Sequence, residues 1–243
     1  MNTLILLAAG SGTRINSFIK DKACASLKDK SVLLYSLEAF AQTECFHRTV
    51  IVYRDPSQKK TLEAIVAASP WKTLKIDYVN GGESRADSVY KALHFLAETD
   101  EILDENARVA IHDVARPLIR SDFIEKLMQL AGKHLHVVPA NKLVDSIKEV
   151  EMDPSRDDSG QITKNLERSQ LRSVQTPQIF NLTRLFAAYN ALEEGRAACT
   201  DDASILEASG ETVHYLENPH PNPKITTKSD WDYILYLLNQ NAL

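Results

Sequence analysis

The chain has 243 residues, enough for one large α/β domain with a substantial core and too short to favour two. Its formal net charge of −5 argues against a general nucleic-acid or anionic-membrane surface, so a polyphosphate ligand would need cations gathered locally. No apolar run approaches the ~20 residues of a membrane span.

The first apolar run, Leu4–Leu7, breaks straight into Ala8-Ala9-Gly10-Ser11-Gly12-Thr13-Arg14. A strand ending in two glycines leaves backbone N–H groups free to approach a ligand, and Arg14 adds a permanent cation: the makings of a phosphate cradle. A plain βα turn is the competing reading. Ile15 replaces the third glycine of a dinucleotide fingerprint, which argues against a Rossmann oxidoreductase. No basic region precedes this apolar stretch, which predicts no signal peptide. Cys24, Cys45 and Cys199 show neither zinc spacing nor a disulfide framework and are expected as free thiols in a reducing cytoplasm.

Further strands are predicted at Thr49–Tyr53, Leu74–Val79, Arg108–Ile111 and His136–Pro139, with amphipathic segments between them. One is Phe123–Leu130, with a cap at Ser121. Repeated βα units predict a single doubly wound, mostly parallel α/β sheet over residues 1–243, with its ligand at the carboxyl ends of the strands. The rhythm changes at residues 141–170. There, β-like pieces Val144–Val150 and Ile162–Leu166 flank a polar hinge at 153–160, predicting a protruding β-arm. Such an arm either lies on a partner or stands as a surface hairpin. A helix, a strand and a C-terminal amphipathic helix with Trp231, Ile234, Leu235 and Leu238 follow.

Five segments hold polar residues that a plain core does not need. Gly81-Gly82-Glu83-Ser84-Arg85-Ala86-Asp87-Ser88 would offer N–H groups and Ser88 to a base or ribose, or form a helix cap with an exposed Arg-Asp pair. In His112-Asp113-Val114-Ala115-Arg116, an acid directly after a buried strand serves a ligand, a metal or an arginine, Arg116 being the nearest; His112 reads as structural. Arg168–Phe180 follows the arm. Lys224 sits in a strand-like context and alone earns no role. Thr200-Asp201-Asp202 reads as a helix start with Thr200 as cap, or as an acid pair holding a ligand-facing loop.

In this order the motifs LAAGSGTR, GGESRADSV, IHDVARP, VPANKLVDSIK, QTPQIF, TDDAS and NPKIT resemble the cytidylyltransferase family that makes 4-diphosphocytidyl-2-C-methyl-D-erythritol, over essentially the whole chain. The resemblance implies a Rossmann-like nucleotidyltransferase fold, a homodimer interlocked by the β-arm, and Mg²⁺ with CTP. Arg14, Lys22, Arg168 and Lys224 would be catalytic. Ala8, Ala9, Gly10, Gly12, Gly82, Glu83 and Ser88 would hold CTP. Asp113, Arg116, Ser146 and Thr176 would hold the sugar phosphate, with Asp113 also a candidate metal contact and with Ser146 and Arg168 reaching from the neighbouring subunit. The chain departs from the family's Pro-Lys-Gln at Asp21-Lys22-Ala23, so the loop lacks its usual stiffener; on this reading Asp21→Pro keeps or raises activity. Ile15, Ser146 and Lys142 stand where Met, Thr and Pro are common.

Nucleotidyl transfer joins two anions, so a cluster of Arg and Lys with Mg²⁺ can lower its barrier without a covalent catalyst. The acceptor expected is 2-C-methyl-D-erythritol 4-phosphate. Ribitol 5-phosphate is the alternative, disfavoured by Ala8-Ala9, ADSV and TDDAS. A CTP-binding protein without turnover is the reading from another class.

Overall fold

A computed structural model describes residues 2–10, 19, 21–98, 104–153, 155–156, 158–192 and 199–240. In chain order the strands are β1 (Asn2–Leu7), β2 (Ser26–Leu27), β3 (Lys30–Ser31), β4 (Arg48–Tyr53), β5 (Ile76–Asn80), β6 (Arg108–Asp113), β7 (His136–Lys142), β8 (Lys148–Met152), β9 (Gly160–Asn165), β10 (Arg172–Val174), β11 (Gln178–Asn181) and β12 (His214–Glu217). The helices are α1 (Val32–Ala41), α2 (Pro56–Ala67), α3 (Arg85–Ala97), α4 (Ser121–Ala131), α5 (Leu182–Ala191), α6 (Asp202–Ala208) and α7 (Lys228–Asn239).

β1 is central because it is apolar on both faces, with Leu4, Ile5 and Leu6 all buried. It pairs in parallel with β4 on one edge and β6 on the other, and β5 extends the sheet beyond β4. β11 runs antiparallel between β6 and β7, while β10 (antiparallel) and β12 (parallel) complete the pairing of β7. Leu4 and Leu6 pack with apolar residues of α1, α2, α4 and α7, whereas Ile5 packs with those of α3, α5 and α6. Helices thus cover both faces, as the doubly wound reading requires. Between β1 and β6 the strand order reverses, and crevices in such sheets open at the carboxyl ends there.

Local signals moved some boundaries. The third main-sheet strand starts at Ile76 rather than Leu74. α4 buries Phe123, Ile124, Leu127 and Ala131, but Ser121 is its first helical residue and the cap position is Arg120, without a side-chain bond. At α6 the cap is Asp201, not Thr200, because the Asp201 carboxylate reaches the amide of Ser204 at 3.0 Å. Lys224 lies in irregular chain rather than a strand.

β8 and β9 form an antiparallel hairpin, and every residue of both strands is exposed. The first strand starts at Lys148 instead of Val144. Upstream of it, the carbonyl of Ile147 accepts the Leu166 N–H at 3.1 Å and that of Val144 accepts the Arg168 guanidinium. Cys24, Cys45 and Cys199 are free thiols. Among the described residues no helix is long and apolar enough to cross a membrane.

Candidate active site

At the end of β1, Ala8 donates its N–H to Val52 O at 2.9 Å, which aims Ala9 and Gly10 past the sheet edge. The Gly81-Gly82 turn after β5 closes against this loop. Gly81 donates to Tyr53 O at 2.7 Å, and a Cβ on it would come within 2.8 Å of Ala9 Cβ. A Cβ on Gly82 would come within 2.3 Å of Asp87 Cβ, so neither position admits a side chain without movement. Ser84 caps α3 in a reciprocal box with Asp87. The Gly82 N–H donates to Ser88 Oγ at 3.0 Å, and the Ser88 hydroxyl donates to Ser84 O at 3.0 Å. These two groups, expected to face a base or ribose, therefore hold the turn together, and Glu83 is left exposed beside them.

The two loops and the end of β6 border a cleft of about 420 Å³, which Lys22, Arg54, Arg85, Asp113 and Lys224 also line. This is the size range of small-ligand sites. The Asp113 carboxylate pairs with Arg85 at 3.1 Å and Lys224 at 2.6 Å, whereas the Arg116 guanidinium turns to Asn222 O. Burial opposes the Asp113 charge, but Arg85 and Lys224 outweigh it, and its pKa falls well below the usual carboxylate range. Arg85 also bonds the fully buried Asp202 at 2.8 Å, and Asp202 accepts the Tyr189 hydroxyl at 2.6 Å. Enclosure works against the Arg85 charge, yet Asp202 and Asp113 push its pKa upward. The expected exposed Arg-Asp pair does not form: Asp87 is taken up by the Ser84 cap, and the half-buried Arg85 connects α3 to β6 and α6.

His112 is structural, as expected. Its Nε2 lies 3.2 Å from Arg116 O, which can only accept, so the proton sits on Nε2. Its Nδ1 accepts a hydrogen bond from the Thr176 hydroxyl at 3.1 Å, while Thr176 Oγ1 accepts the Asp113 N–H at 3.1 Å. Burial lowers the His112 pKa from 6.5 to about 3, keeping the ring neutral. Thr176 is buried and fixes the backbone of Asp113.

The far end of the chain is pinned here as well. Ile225 is fully buried and donates to Ala115 O at 2.8 Å, while Arg116 Nη1 donates to Asn222 O at 2.7 Å. These bonds bring Lys224 to the cleft. Lys22 reaches the same place, its Nζ donating to Ile225 O at 3.1 Å.

Of the other expected site residues, Ser146 and Arg168 are exposed near the base of the hairpin and do not line this cleft. Arg14 and Gly12 lie outside the described residues. Among the described residues no group of three or more His, Cys, Asp or Glu could hold a metal ion. The cleft acids, Asp113 and Glu83, suit a cation that arrives on phosphate oxygens and touches one carboxylate. Sequence reading did not assign Arg54, Arg85, Asp202, Tyr189 or Asn222. The signal for Arg85 and Asp202 was present, as an arginine behind a helix cap and a second acid behind another, but their pairing spans 117 positions.

Residues 2–240 match the family profile described as IspD, 2-C-methyl-D-erythritol 4-phosphate cytidylyltransferase. The protein of that name from Clostridium botulinum strain Loch Maree is 33% identical over 229 residues, covering 94% of this chain and 93% of its own. Its namesake from Bacillus cytotoxicus is 30% identical over 230 residues, covering 95% and 94%. The crystal structure of the Francisella tularensis protein of the same name superposes with a TM-score of 0.76 at 27% identity, over 97% of this chain and 98% of that one. A 4-diphosphocytidyl-2C-methyl-D-erythritol synthase structure from Anaerococcus prevotii, 24% identical with a TM-score of 0.77 over 98% of both chains, shares the fold.

Proposed function

The chain belongs to the 2-C-methyl-D-erythritol 4-phosphate cytidylyltransferase (IspD) family, and from that premise we infer that it joins CTP to 2-C-methyl-D-erythritol 4-phosphate, giving 4-diphosphocytidyl-2-C-methyl-D-erythritol and pyrophosphate. A phosphate oxygen of the sugar attacks the α-phosphorus of CTP, a new P–O bond forms, and the bond to the β-phosphate breaks as pyrophosphate leaves. The observation that carries the reading is the meeting of Lys22 and Lys224, from opposite ends of the chain, in one cleft with the Ala8–Gly10 loop and the Gly82–Ser88 turn.

Each group has a physical task in this scheme. Ala8, Ala9 and Gly10, with Gly12 and Arg14 beyond them, cradle the triphosphate. Gly82, Glu83 and Ser88 shape the nucleoside end. Lys22 and Lys224 stabilise charge that grows on the α-phosphate and its entering and leaving oxygens. Arg116 and Thr176 hold the sugar-phosphate side through the backbone around Asp113. Mg²⁺ bound with CTP would neutralise triphosphate charge, and Asp113 is the carboxylate placed to hold it. Lys224, bonded to Asp113 at 2.6 Å, would meet the phosphates from beside that carboxylate.

Ser146 and Arg168 serve the cleft of a second copy, since in their own chain they sit near the base of the exposed hairpin. The protein works as a cytoplasmic homodimer joined through that hairpin, where Val150, Met152 and Ile162 are 49–63% exposed.

A pyrophosphate-release assay tests the chemistry. CTP, Mg²⁺ and methylerythritol phosphate together should be required, with ribitol 5-phosphate poorer by about an order of magnitude in kcat/KM. Equal or reversed preference overturns the acceptor and leaves cytidylyl transfer standing. Mixing Lys22→Ala with Arg168→Ala under subunit exchange tests the shared site. One site of each mixed dimer is then intact, so activity should return to up to about half of the heterodimer's sites. A mixture as inactive as its parents, with exchange demonstrated, places Arg168 in its own subunit's site.

A further inference from the structure

Asp21 immediately precedes Lys22, where the family pattern has proline. Its Oδ1 accepts the backbone N–H groups of Ala23 at 3.1 Å and Cys24 at 3.3 Å, and its carbonyl accepts that of Ala25 at 3.0 Å. The short turn around Lys22 is therefore capped by the residue in front of it. The carbonyls of Ala23 and Ala25 accept from Leu33 and Val32, which ties the turn to the start of α1.

The other oxygen faces a different element. Asp21 Oδ2 accepts from Gln58 Nε2 at 2.9 Å and from Arg54 Nη2 at 3.2 Å. Gln58 is buried, and the same amide nitrogen donates to Ala8 O at 3.0 Å, while its Oε1 accepts the Arg54 N–H at 2.6 Å. Gln58 is itself fixed in the first turn of α2, which Asp55 caps. One carboxylate thus connects the Lys22 turn to the glycine loop and to the end of β4.

We propose that Asp21 is a positioning residue that latches the Lys22 turn to the Ala8 loop through Gln58, with Arg54 as the counter-charge. Proline would stiffen this position through a fixed φ; Asp21 stiffens it through bonds that proline cannot make. The proposal rests on the assignment of Lys22 to the reacting phosphate. It also reverses the sequence expectation for Asp21→Pro, which should lose activity because it deletes the carboxylate.

The test compares Asp21→Ala, Asp21→Asn, Asp21→Pro and Gln58→Leu with the parent for kcat, KM for CTP, thermal midpoint, and amide hydrogen exchange at Ala23 and Cys24. Displacing a reacting group by about an ångström can cost up to about 100-fold, so Asp21→Ala should lose about 10- to 100-fold in kcat with KM for CTP changed by less than about threefold. Asp21→Asn keeps an acceptor for the two amides but turns an NH2 donor toward Gln58 Nε2 and Arg54 Nη2, so it should recover only part of the loss. Gln58→Leu should fall between, with the turn capped but its tie to Ala8 cut. Exchange at Ala23 and Cys24 should quicken in Asp21→Ala and Asp21→Pro and stay slow in Gln58→Leu. Parent-like kcat in Asp21→Ala overturns the proposal, and so does a loss that merely tracks the thermal midpoint. If the parent itself releases no pyrophosphate, the functional assignment fails instead. Unchanged exchange at Ala23 and Cys24 would still overturn the latch.

Discussion

The end of β6 and the β8–β9 hairpin are both rich in polar residues, yet one is buried and the other stands in solvent. At the end of β6, Asp202 and His112 are fully buried and Asp113 nearly so, and each is held by a partner remote in sequence. Arg85 meets Asp202 across 117 positions, and Lys224 meets Asp113 across 111. In the hairpin, β8 and β9 pair with each other in a separate two-stranded sheet. Charge density therefore does not decide which polar segment enters the core. What decides is whether the fold delivers a counter-charge or a hydrogen-bond partner, since an unpaired buried charge is costly. An isolated hairpin is marginal in water, and in the dimer proposed above the exposed apolar residues of this one would be covered.

The comparison breaks most visibly at Asp202. Asp202→Ala leaves the Arg85 guanidinium and the buried Tyr189 hydroxyl short of an acceptor, and should cost about 3–5 kcal/mol of unfolding free energy in urea titration. A loss below about 1 kcal/mol would mean that the network relaxes and that burial is not what holds the site. Lys224→Ala separates function from stability in the same cluster. Lys224 is 38% exposed and Asp113 retains Arg85, so the fold should lose little, while the barrier to pyrophosphate release should rise by roughly 2.7–4 kcal/mol. A matched fall in stability, with kcat preserved, would make Lys224 a structural cation.

His112 sharpens the contrast through pH. The unfolded chain takes up its proton near pH 6.5, the folded chain only near pH 3. The stabilisation from the neutral ring is thus present above pH 6.5 and is lost as pH falls toward 3, by up to about 1.4 kcal/mol per pH unit. Unfolding titrations at several pH values should show this slope, and His112→Gln should flatten it between pH 6 and about 4.5. The smallest effect belongs to the hairpin. Ile162 is 63% exposed, so Ile162→Asp should change the unfolding free energy of the isolated subunit by no more than about 0.5 kcal/mol. Sedimentation should nevertheless show weakened self-association. A large stability loss at low protein concentration would mean that the hairpin is held by its own chain.

The elements that were legible in sequence owe it to periodicity. Leu4–Leu7 and Thr49–Tyr53 could be read as buried strands because consecutive apolar residues suit a sheet covered on both faces. Ile124, Leu127, Met128 and Ala131, at helical spacing, marked the inward face of α4 for the same local reason, and all but the half-buried Met128 are buried. Caps were harder to read. Thr200, Asp201 and Ser121 all carry oxygens able to cap a helix, and only backbone direction selects Asp201 and leaves Ser121 inside α4. At the cleft, the glycine loop and Asp113 were singled out by residue chemistry, whereas Lys22 and Lys224 were singled out only through motif resemblance. Arg54 and Gln58 were not, because nothing near them in sequence shows that they meet Asp21.

By itself, then, the amino-acid order determined the alternation of strands and helices, the break in that alternation at the hairpin, and the family to which the motifs point. These follow from apolar spacing and short-range residue chemistry, which need no knowledge of distant neighbours. Only the tertiary structure decided which charges meet: that Asp113 binds Arg85 and Lys224, that the Ser88 hydroxyl holds Gly82, and that Asp21 fastens the Lys22 turn to Ala8. The physical reason is that an ion pair or hydrogen bond depends on a separation of about 3 Å in space, and strand order sets that separation across more than a hundred residues of chain.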